Sequence, residues 1–275
     1  MTQLKKTVRI IIGSLGLIVF LFTVNTVSAQ SLVTIPDTVQ HELQSTAVEQ
    51  NYILQVALPR KYGKTDKQYP VVYLLDANAD FPLVTSIARR LQAEDDLQEF
   101  LIVGISYPEN HWGNRRRDYT PTHYSAVENS GGGPNFAKAL KTEIIPFIEG
   151  KYRAAKTSRS LIGHSLGGLF GAYMALNGSG LFDNFIISSP SLWWDNTVLL
   201  KTYKQTTLAG RPSLFITVGA DENPHMVKAW RDLHTFTSQK KNVARQKAIS
   251  LNGENHASAK FRAYADGLRW LFGKN

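Results

Sequence analysis

Short apolar runs alternate along this chain with segments of helical periodicity, and this alternation limits the possible folds more than any other feature. Two extended stretches come first, at 39–45 and 51–58, and their pattern predicts an antiparallel pair. Further strands are predicted at 71–75, 100–105, 160–163, 185–188, 213–219 and 248–251, and helices at 83–93, 136–152 (bent at Pro146), 166–176, 227–237 and 259–272. Strands that are apolar throughout are buried on both faces. The chain is therefore predicted to be an α/β protein with a mostly parallel central sheet and helices on both faces.

Residues 1–29 carry the pattern of a secretory signal peptide. Basic residues precede an apolar segment, 10–24, and small residues follow at Val27-Ser28-Ala29. The apolar segment is shorter than the roughly 20 residues that span a bilayer, which argues against the alternative of an uncleaved anchor. We expect cleavage after Ala29, a single domain over 30–275 with no stable membrane insertion, and a location in the periplasm or outside the cell.

The composition excludes several kinds of site and partner. The 275 residues include no cysteine, so a disulfide scaffold, a thiol nucleophile and a cysteine metal site are all excluded. The net charge of +9 comes from scattered basic residues rather than from one basic run, which does not fit a nucleic-acid partner. Histidines and carboxylates show no metal-ligand spacing, and no Gly-rich nucleotide loop follows the first strand. We expect no metal and no cofactor; the oligomeric state is not indicated.

The segment Gly163-His164-Ser165-Leu166-Gly167 matches the G-x-S-x-G motif and lies between a predicted strand and a predicted helix. A sharp turn there raises the serine hydroxyl above the sheet, and the helix behind it directs free N–H groups at the same point. The alternative is a tight strand–helix turn that contains a serine by chance. In its predicted setting, Ser165 is the candidate nucleophile.

A serine nucleophile needs a histidine base and an acid that orients it, and in this type of fold they follow the serine in the order acid, then histidine. His256 lies directly after the last predicted strand, where the base belongs. Glu222, three residues past Gly219, is the preferred acid; Asp221 is the alternative, and a solvated turn with no role is the third possibility. The backbone N–H groups of Leu166 and Asn78 are the candidate donors to an oxyanion.

Four motifs in sequence order resemble the esterase branch of the α/β hydrolases that includes the trilactone siderophore esterases for enterobactin, salmochelin and bacillibactin. They are YLLDANADF at 73–81, RDYTP at 117–121, GHSLGG at 163–168 and SPSLWW at 189–194. The resemblance runs from about residue 39 to the C-terminus and implies the α/β-hydrolase fold. Ala77 departs from it, because many members have glycine there; a positive φ at this position would be costly for alanine.

The resemblance also implies that Arg117, Trp193 and Trp194 bind substrate. The arginines at 115–117 are predicted to lie in a loop near the site, and guanidinium groups suit carboxylate, phosphate or catecholate oxygens. One tryptophan is expected to pack in the core and the other to line the pocket. The Gly-rich segment 129–134 is predicted to be a mobile surface loop.

Together these features predict an exported serine carboxylic ester hydrolase that acts on a small-molecule ester through an acyl-enzyme on Ser165. A siderophore trilactone is the favoured substrate. The alternatives are an acyltransferase of the same fold and a non-catalytic binding protein on a hydrolase scaffold.

Overall fold

A computed structural model describes residues 33–108, 111–177, 179–202, 208 and 210–274. The chain divides into two units, Met1–Thr34 and Ile35–Asn275. Of the first unit only residues 33 and 34 are described, and they form neither helix nor strand. The predicted signal peptide and its cleavage position after Ala29 lie outside the described residues.

The described part of the second unit is built on one eight-stranded sheet. Its strands are β1 (Thr38–Ser45), β2 (Gln50–Ala57), β3 (Tyr69–Leu74), β4 (Leu101–Ser106), β5 (Ala154–His164), β6 (Asn184–Ser188), β7 (Ser213–Gly219) and β8 (Arg245–Leu251). The spatial order is β1-β2-β4-β3-β5-β6-β7-β8. β1 pairs antiparallel with β2 and β2 with β4, whereas all the other neighbours pair in parallel. The predicted antiparallel pair and mostly parallel sheet are confirmed.

Helices cover both faces of this sheet. They are α1 (Ala77–Ala93), α2 (His111–Asp118), α3 (Gly133–Ala139), α4 (Ile145–Lys151), α5 (Leu166–Leu176), α6 (Trp194–Thr202), α7 (Pro224–Ser238) and α8 (Ala259–Phe272). On one face, α1 and α8 bury a cluster that includes Phe81, Val84 and Leu268; on the other, the core includes residues of α3, α4, α5 and α7. None of the helices in the described ranges is long and apolar enough to cross a membrane.

Glycine allows α1 to approach the sheet closely. A Cβ on Gly104 in β4 would lie 2.7 Å from the Cβ of Ala77 and 2.8 Å from the ring of Phe81. Real Cβ atoms do not come this close to another carbon. The absent side chain therefore places the first turn of α1 directly over β4, and this turn holds one of the predicted oxyanion donors.

Several elements differ from the prediction; β5, for example, begins at Ala154 and not at 160. α1 begins at Ala77 and not at 83, so Asn78, the predicted oxyanion donor, lies in the first turn of a helix and not in a loop before it. The arginines lie in α2 and not in a loop; this short polar helix has no apolar periodicity to reveal it. The irregularity in the helical segment 136–152 is a π-helical turn, Leu140–Ile144, so Pro146 lies in the first turn of α4 rather than at a bend. α6 was not predicted, and its residues 195–197 have positive φ angles.

Candidate active site

Ser165 lies on the sharp turn between β5 and α5. Its backbone angles are φ 60° and ψ −118°, a conformation that is strained for a residue with a side chain. A Cβ on Gly163 would lie 2.3 Å from the carbonyl oxygen of Gly167, so only glycine fits before the turn. The Ser165 N–H donates to the carbonyl of Ser188 at 3.0 Å, which ties the turn to the end of β6. The hydroxyl is half-buried at the carboxyl edge of the sheet.

His256 lies between Ser165 and Glu222. Its Nε2 is 2.9 Å from Ser165 Oγ, and its Nδ1 is 2.8 Å from Glu222 Oε2. A carboxylate at Nδ1 favours the tautomer that carries its proton there, which leaves Nε2 free to accept the serine proton. The three side chains come from the turn after β5, the turn after β7 and the loop after β8, as the sequence predicts.

Glu222, and not Asp221, is the carboxylate that contacts the histidine. Its other oxygen, Oε1, accepts two further hydrogen bonds, from Ser189 Oγ at 2.5 Å and from the Gly219 N–H at 2.8 Å. Burial opposes ionisation of Glu222, but the hydrogen bonds from His256, Ser189 and Gly219 outweigh it, and the pKa of Glu222 is lowered. Asp221 is exposed.

Two backbone N–H groups are free at the start of helices next to this site. Leu166 and Asn78 lie in the first turns of α5 and α1, and neither N–H has an acceptor among the described residues. The side chain of Asn78 is held by the backbone of Tyr107, which it contacts through Nδ2 at 3.1 Å and Oδ1 at 3.3 Å. The positive φ in this segment is at Asp76, at 57°, and not at Ala77. The departure from glycine at Ala77 therefore brings no backbone strain.

Three residues at the site were not singled out from the sequence. Ser191 has its Oγ 3.3 Å from Ser165 Oγ, and its N–H donates to the Ser165 carbonyl at 3.0 Å. Ser189 holds Glu222, as described above. His164 packs its ring 4.7 Å from that of His256. All three lie inside quoted motifs, but only the fold shows that their side chains meet.

Arg117 makes hydrogen bonds inside the fold, and the substrate contact that the resemblance implies for it stays a prediction. Its Nε donates to Asp118 at 2.7 Å and its Nη2 to Gln50 at 3.1 Å. Asp118 is buried and also accepts from the hydroxyls of Tyr52 and Tyr107. A Cβ on Gly132 would lie 2.6 Å from Arg117 Cγ, so the Gly-rich segment, predicted to be a mobile loop, packs against this arginine.

Trp193 and Trp194 differ in their exposure to solvent, as the sequence predicts. Trp194 is buried, and its Nε1 donates to the carbonyl of Thr122 at 3.3 Å, so it supports the loop rather than facing a ligand. Trp193 is 48% exposed and lies two residues beyond Ser191. Only Trp193 is therefore available as a pocket wall. In the described part of the chain no group of histidines and carboxylates could hold a metal ion.

Comparison with known protein families identifies the family of this chain. Residues 45–267 match the model of the family described as "Putative esterase". The chain belongs to this esterase family. The chain has the α/β-hydrolase fold, and its membership of this family identifies it as a hydrolase.

Two similar proteins are named as siderophore esterases. The ferri-bacillibactin esterase BesA of Bacillus subtilis is 32% identical over 183 residues, which span 61% of this chain and 63% of that protein. The siderophore triacetylfusarinine C esterase of Aspergillus fumigatus is 30% identical over 209 residues, 72% of this chain and 68% of that protein. Among solved structures, the BES protein from Bacillus cereus superposes with a TM-score of 0.83 at 29% identity, over 91% of this chain and 100% of that one.

Proposed function

We propose that this chain is an exported serine esterase that cleaves carboxylic esters through an acyl-enzyme on Ser165. The observation that carries the proposal is the position of His256, with Nε2 2.9 Å from Ser165 Oγ and Nδ1 2.8 Å from Glu222 Oε2. A nucleophile, its base and the acid that orients the base are thus within hydrogen-bonding distance of one another.

In the proposed acylation step, His256 Nε2 takes the proton of Ser165 Oγ while Oγ bonds to the ester carbonyl carbon. The carbonyl electron pair moves to its oxygen, and the N–H groups of Leu166 and Asn78 donate to the resulting oxyanion. The carbon–oxygen bond to the alcohol then breaks, and the imidazolium returns its proton to the leaving oxygen. Glu222 stabilises the positive imidazolium in between.

Deacylation repeats the same chemistry with water. His256 takes a proton from water as the hydroxide bonds to the acyl carbon, and the oxyanion forms again before the same two donors. The bond to Ser165 Oγ breaks, the serine regains its proton from the imidazolium, and the acid leaves.

The proposed substrates are ester-linked siderophores. The family membership supports an ester substrate, and two similar proteins are named for siderophore esters. The indole of Trp193, two residues beyond Ser191, is 48% exposed and offers an aromatic face on which a flat group can stack. The net charge falls from +9 to +6 when the three basic residues of the proposed signal peptide are removed, and the remaining positive charge favours an anionic ligand over a cationic one.

The test combines active-site labelling with turnover. We expect a fluorophosphonate probe to modify the parent protein at Ser165, with the modified residue identified by mass spectrometry. Ser165→Ala should lose both the label and the hydrolysis of a short p-nitrophenyl ester while remaining folded by circular dichroism. Ser191→Ala is the matched control, because it removes a neighbouring hydroxyl and should still be labelled at Ser165.

A substrate panel then tests the ester class. It comprises short and long p-nitrophenyl esters, a feruloyl ester and a catecholate trilactone, with and without an added acceptor alcohol. Preferred cleavage of the trilactone supports the proposal, and a transferred acyl product would indicate an acyltransferase instead. An unlabelled, inactive parent protein would indicate a binding protein.

A further inference from the structure

A buried ion pair joins α2 to the turn between β3 and α1. Arg115 Nε lies 2.5 Å from Asp76 Oδ1, and its Nη2 lies 2.9 Å from Asp76 Oδ2, so both carboxylate oxygens are bound. The side chains are only 12% and 17% exposed. A planar guanidinium suits this two-point contact, whereas the point charge of a lysine does not.

The pair also touches both parts of the nucleophile turn. Arg115 Nη2 donates to the carbonyl of His164 at 3.3 Å, and His164 directly precedes Ser165. A Cβ on Gly167 would lie 3.2 Å from Asp76 Oδ2, so the carboxylate lies against the first turn of α5. One ion pair is therefore in contact with the end of β5, the start of α5 and the start of α1.

Asp76 has a conformation that the pair helps to hold. Its angles, φ 57° and ψ 32°, are left-handed, a conformation that is unfavourable for a residue other than glycine. Its N–H donates to the Tyr119 hydroxyl at 3.1 Å, and its carboxylate is held by Arg115. Because α1 begins at the next residue, the conformation of Asp76 sets the direction of the Asn78 N–H relative to Ser165.

We propose that Arg115 and Asp76 are positioning residues that keep the two oxyanion donors, Asn78 and Leu166, aligned with Ser165. The pair acts through the backbone and does not touch the substrate. This inference deepens the proposed serine mechanism and depends on it. It also separates Arg115 from the neighbouring arginines, which the same short helix carries but which make no contact with Asp76 among the described residues.

The experiment compares Arg115→Lys and Arg115→Met with the matched controls Arg116→Lys and Arg116→Met, one position along α2. Each variant is assayed on a neutral p-nitrophenyl ester and on a p-nitrophenyl ester with a carboxylate in its acyl chain. Thermal midpoints are measured for all four, and assays are run below the lowest midpoint. Loss of one oxyanion donor lowers kcat by about 10²–10³-fold, so misalignment should lower it by roughly 10- to 100-fold.

We expect kcat to fall for both Arg115 variants on both esters, while KM stays within about 3-fold of the parent value. The inhibition constant of a boronic acid, which forms a tetrahedral adduct with the serine, should rise in parallel with the loss of kcat. Arg115→Lys should be less impaired than Arg115→Met, and the Arg116 variants should match the parent. Unchanged kcat in folded Arg115 variants, or a KM increase confined to the anionic ester, would overturn the inference; the latter would show that Arg115 binds substrate. If Ser165→Ala retained activity, the proposed function itself would fail, which is a different outcome.

Discussion

Three residues around the site have positive φ angles although none is a glycine: Ser165 at 60°, Asp76 at 57° and Ser189 at 44°. Such conformations cost of order 1 kcal/mol or more each and persist only where the surroundings hold them. Each of the three donates its N–H to a residue of another segment: Ser165 to the Ser188 carbonyl, Asp76 to the Tyr119 hydroxyl and Ser189 to the Thr217 carbonyl. At the scale of single residues, the site is thus preorganised by strain that the rest of the fold supports.

Replacing Glu222 should affect turnover far more than replacing its neighbour. Glu222→Gln removes the charge that stabilises an imidazolium and allows the wrong histidine tautomer, and the corresponding change in the serine protease triad lowers kcat by about 10⁴-fold. We expect a loss of several orders of magnitude here, measured as kcat on one activated ester. Asp221→Asn, on the exposed neighbour, is the matched control and should be nearly silent. Equal effects of the two substitutions would contradict the assignment.

His164 should make the folded protein sensitive to acid. Burial, together with the nearby His256, Lys260 and Arg115, holds the pKa of His164 well below its ordinary value of 6.5. As the pH falls below that value the unfolded chain takes up a proton that the folded chain does not, so the free energy of unfolding decreases by up to about 1.4 kcal/mol per pH unit.

The test of this pH effect is urea unfolding of the parent, His164→Gln and His225→Gln between pH 7.5 and 5. His164→Gln should show the shallower loss of stability on acidification, because glutamine does not titrate. His225 is exposed on α7, and its variant should follow the parent. Parallel pH curves for the parent and His164→Gln would refute the role of burial.

At the scale of elements, α1 and α8 bring together two parts of the site that are distant in sequence. α1 presents the Asn78 N–H, and α8 begins just after the loop that carries His256. Within their buried interface, Asp80 of α1 accepts from Lys260 Nζ at 2.6 Å and from the Tyr264 hydroxyl at 2.8 Å. This contact links the helix that carries the proposed oxyanion donor to the helix that follows the proposed base.

Breaking that contact should be costly. Lys260→Met leaves the Asp80 carboxylate, only 4% exposed, without its cation, and we expect a loss of about 3 kcal/mol in the free energy of unfolding. The matched control is Lys228→Met, which breaks an exposed pair with Asp232 on α7. Denaturant unfolding of both variants should show a large shift in the midpoint only for Lys260→Met; similar midpoints would contradict the expectation.

At the scale of the whole molecule, the parallel strands of the sheet bring remote segments to one edge. The turns after β3, β5, β7 and β8 all lie at the carboxyl ends of these parallel strands. Residues as far apart in sequence as 76 and 256 therefore lie at the same edge of the sheet. The edge is closed on one side by α2, whose arginine contacts the turn after β3. The sheet is the rigid part of this arrangement, and the turns carry the side chains of the candidate active site.

Export is the prediction that belongs to the chain as a whole. If residues 1–29 are a signal peptide, the protein recovered from outside the cytoplasm should begin at Gln30, as shown by N-terminal sequencing or intact mass. Ala29→Phe should block cleavage, because the peptidase requires a small residue before the cut, and Ala29→Gly should be processed normally. Full-length protein that remains in the cytoplasm would overturn the prediction.

The sequence by itself determined the architecture and the central residues of the candidate site. Apolar runs revealed the strands because a parallel sheet buries both its faces, and the G-x-S-x-G spacing revealed the sharp turn that carries Ser165 because only glycine fits so tight a turn. The order of nucleophile, acid and histidine along the chain then restricted the acid and the base to two loops, which pointed to His256 as the base and to Glu222 as the preferred acid. These features are local, so they can be read from neighbouring residues.

The tertiary structure alone decided what depends on contacts between remote segments. Asp221 and Glu222 are adjacent in sequence, and only the fold shows which carboxylate reaches His256. Arg115 and Arg117 lie on one short helix, yet the first pairs with Asp76 and the second with Asp118. Neither choice leaves a local signal, because each depends on which remote chain segment packs against the residues concerned. The physical reason is that hydrogen bonds and ion pairs act over about 3 Å in space, whatever the separation along the chain.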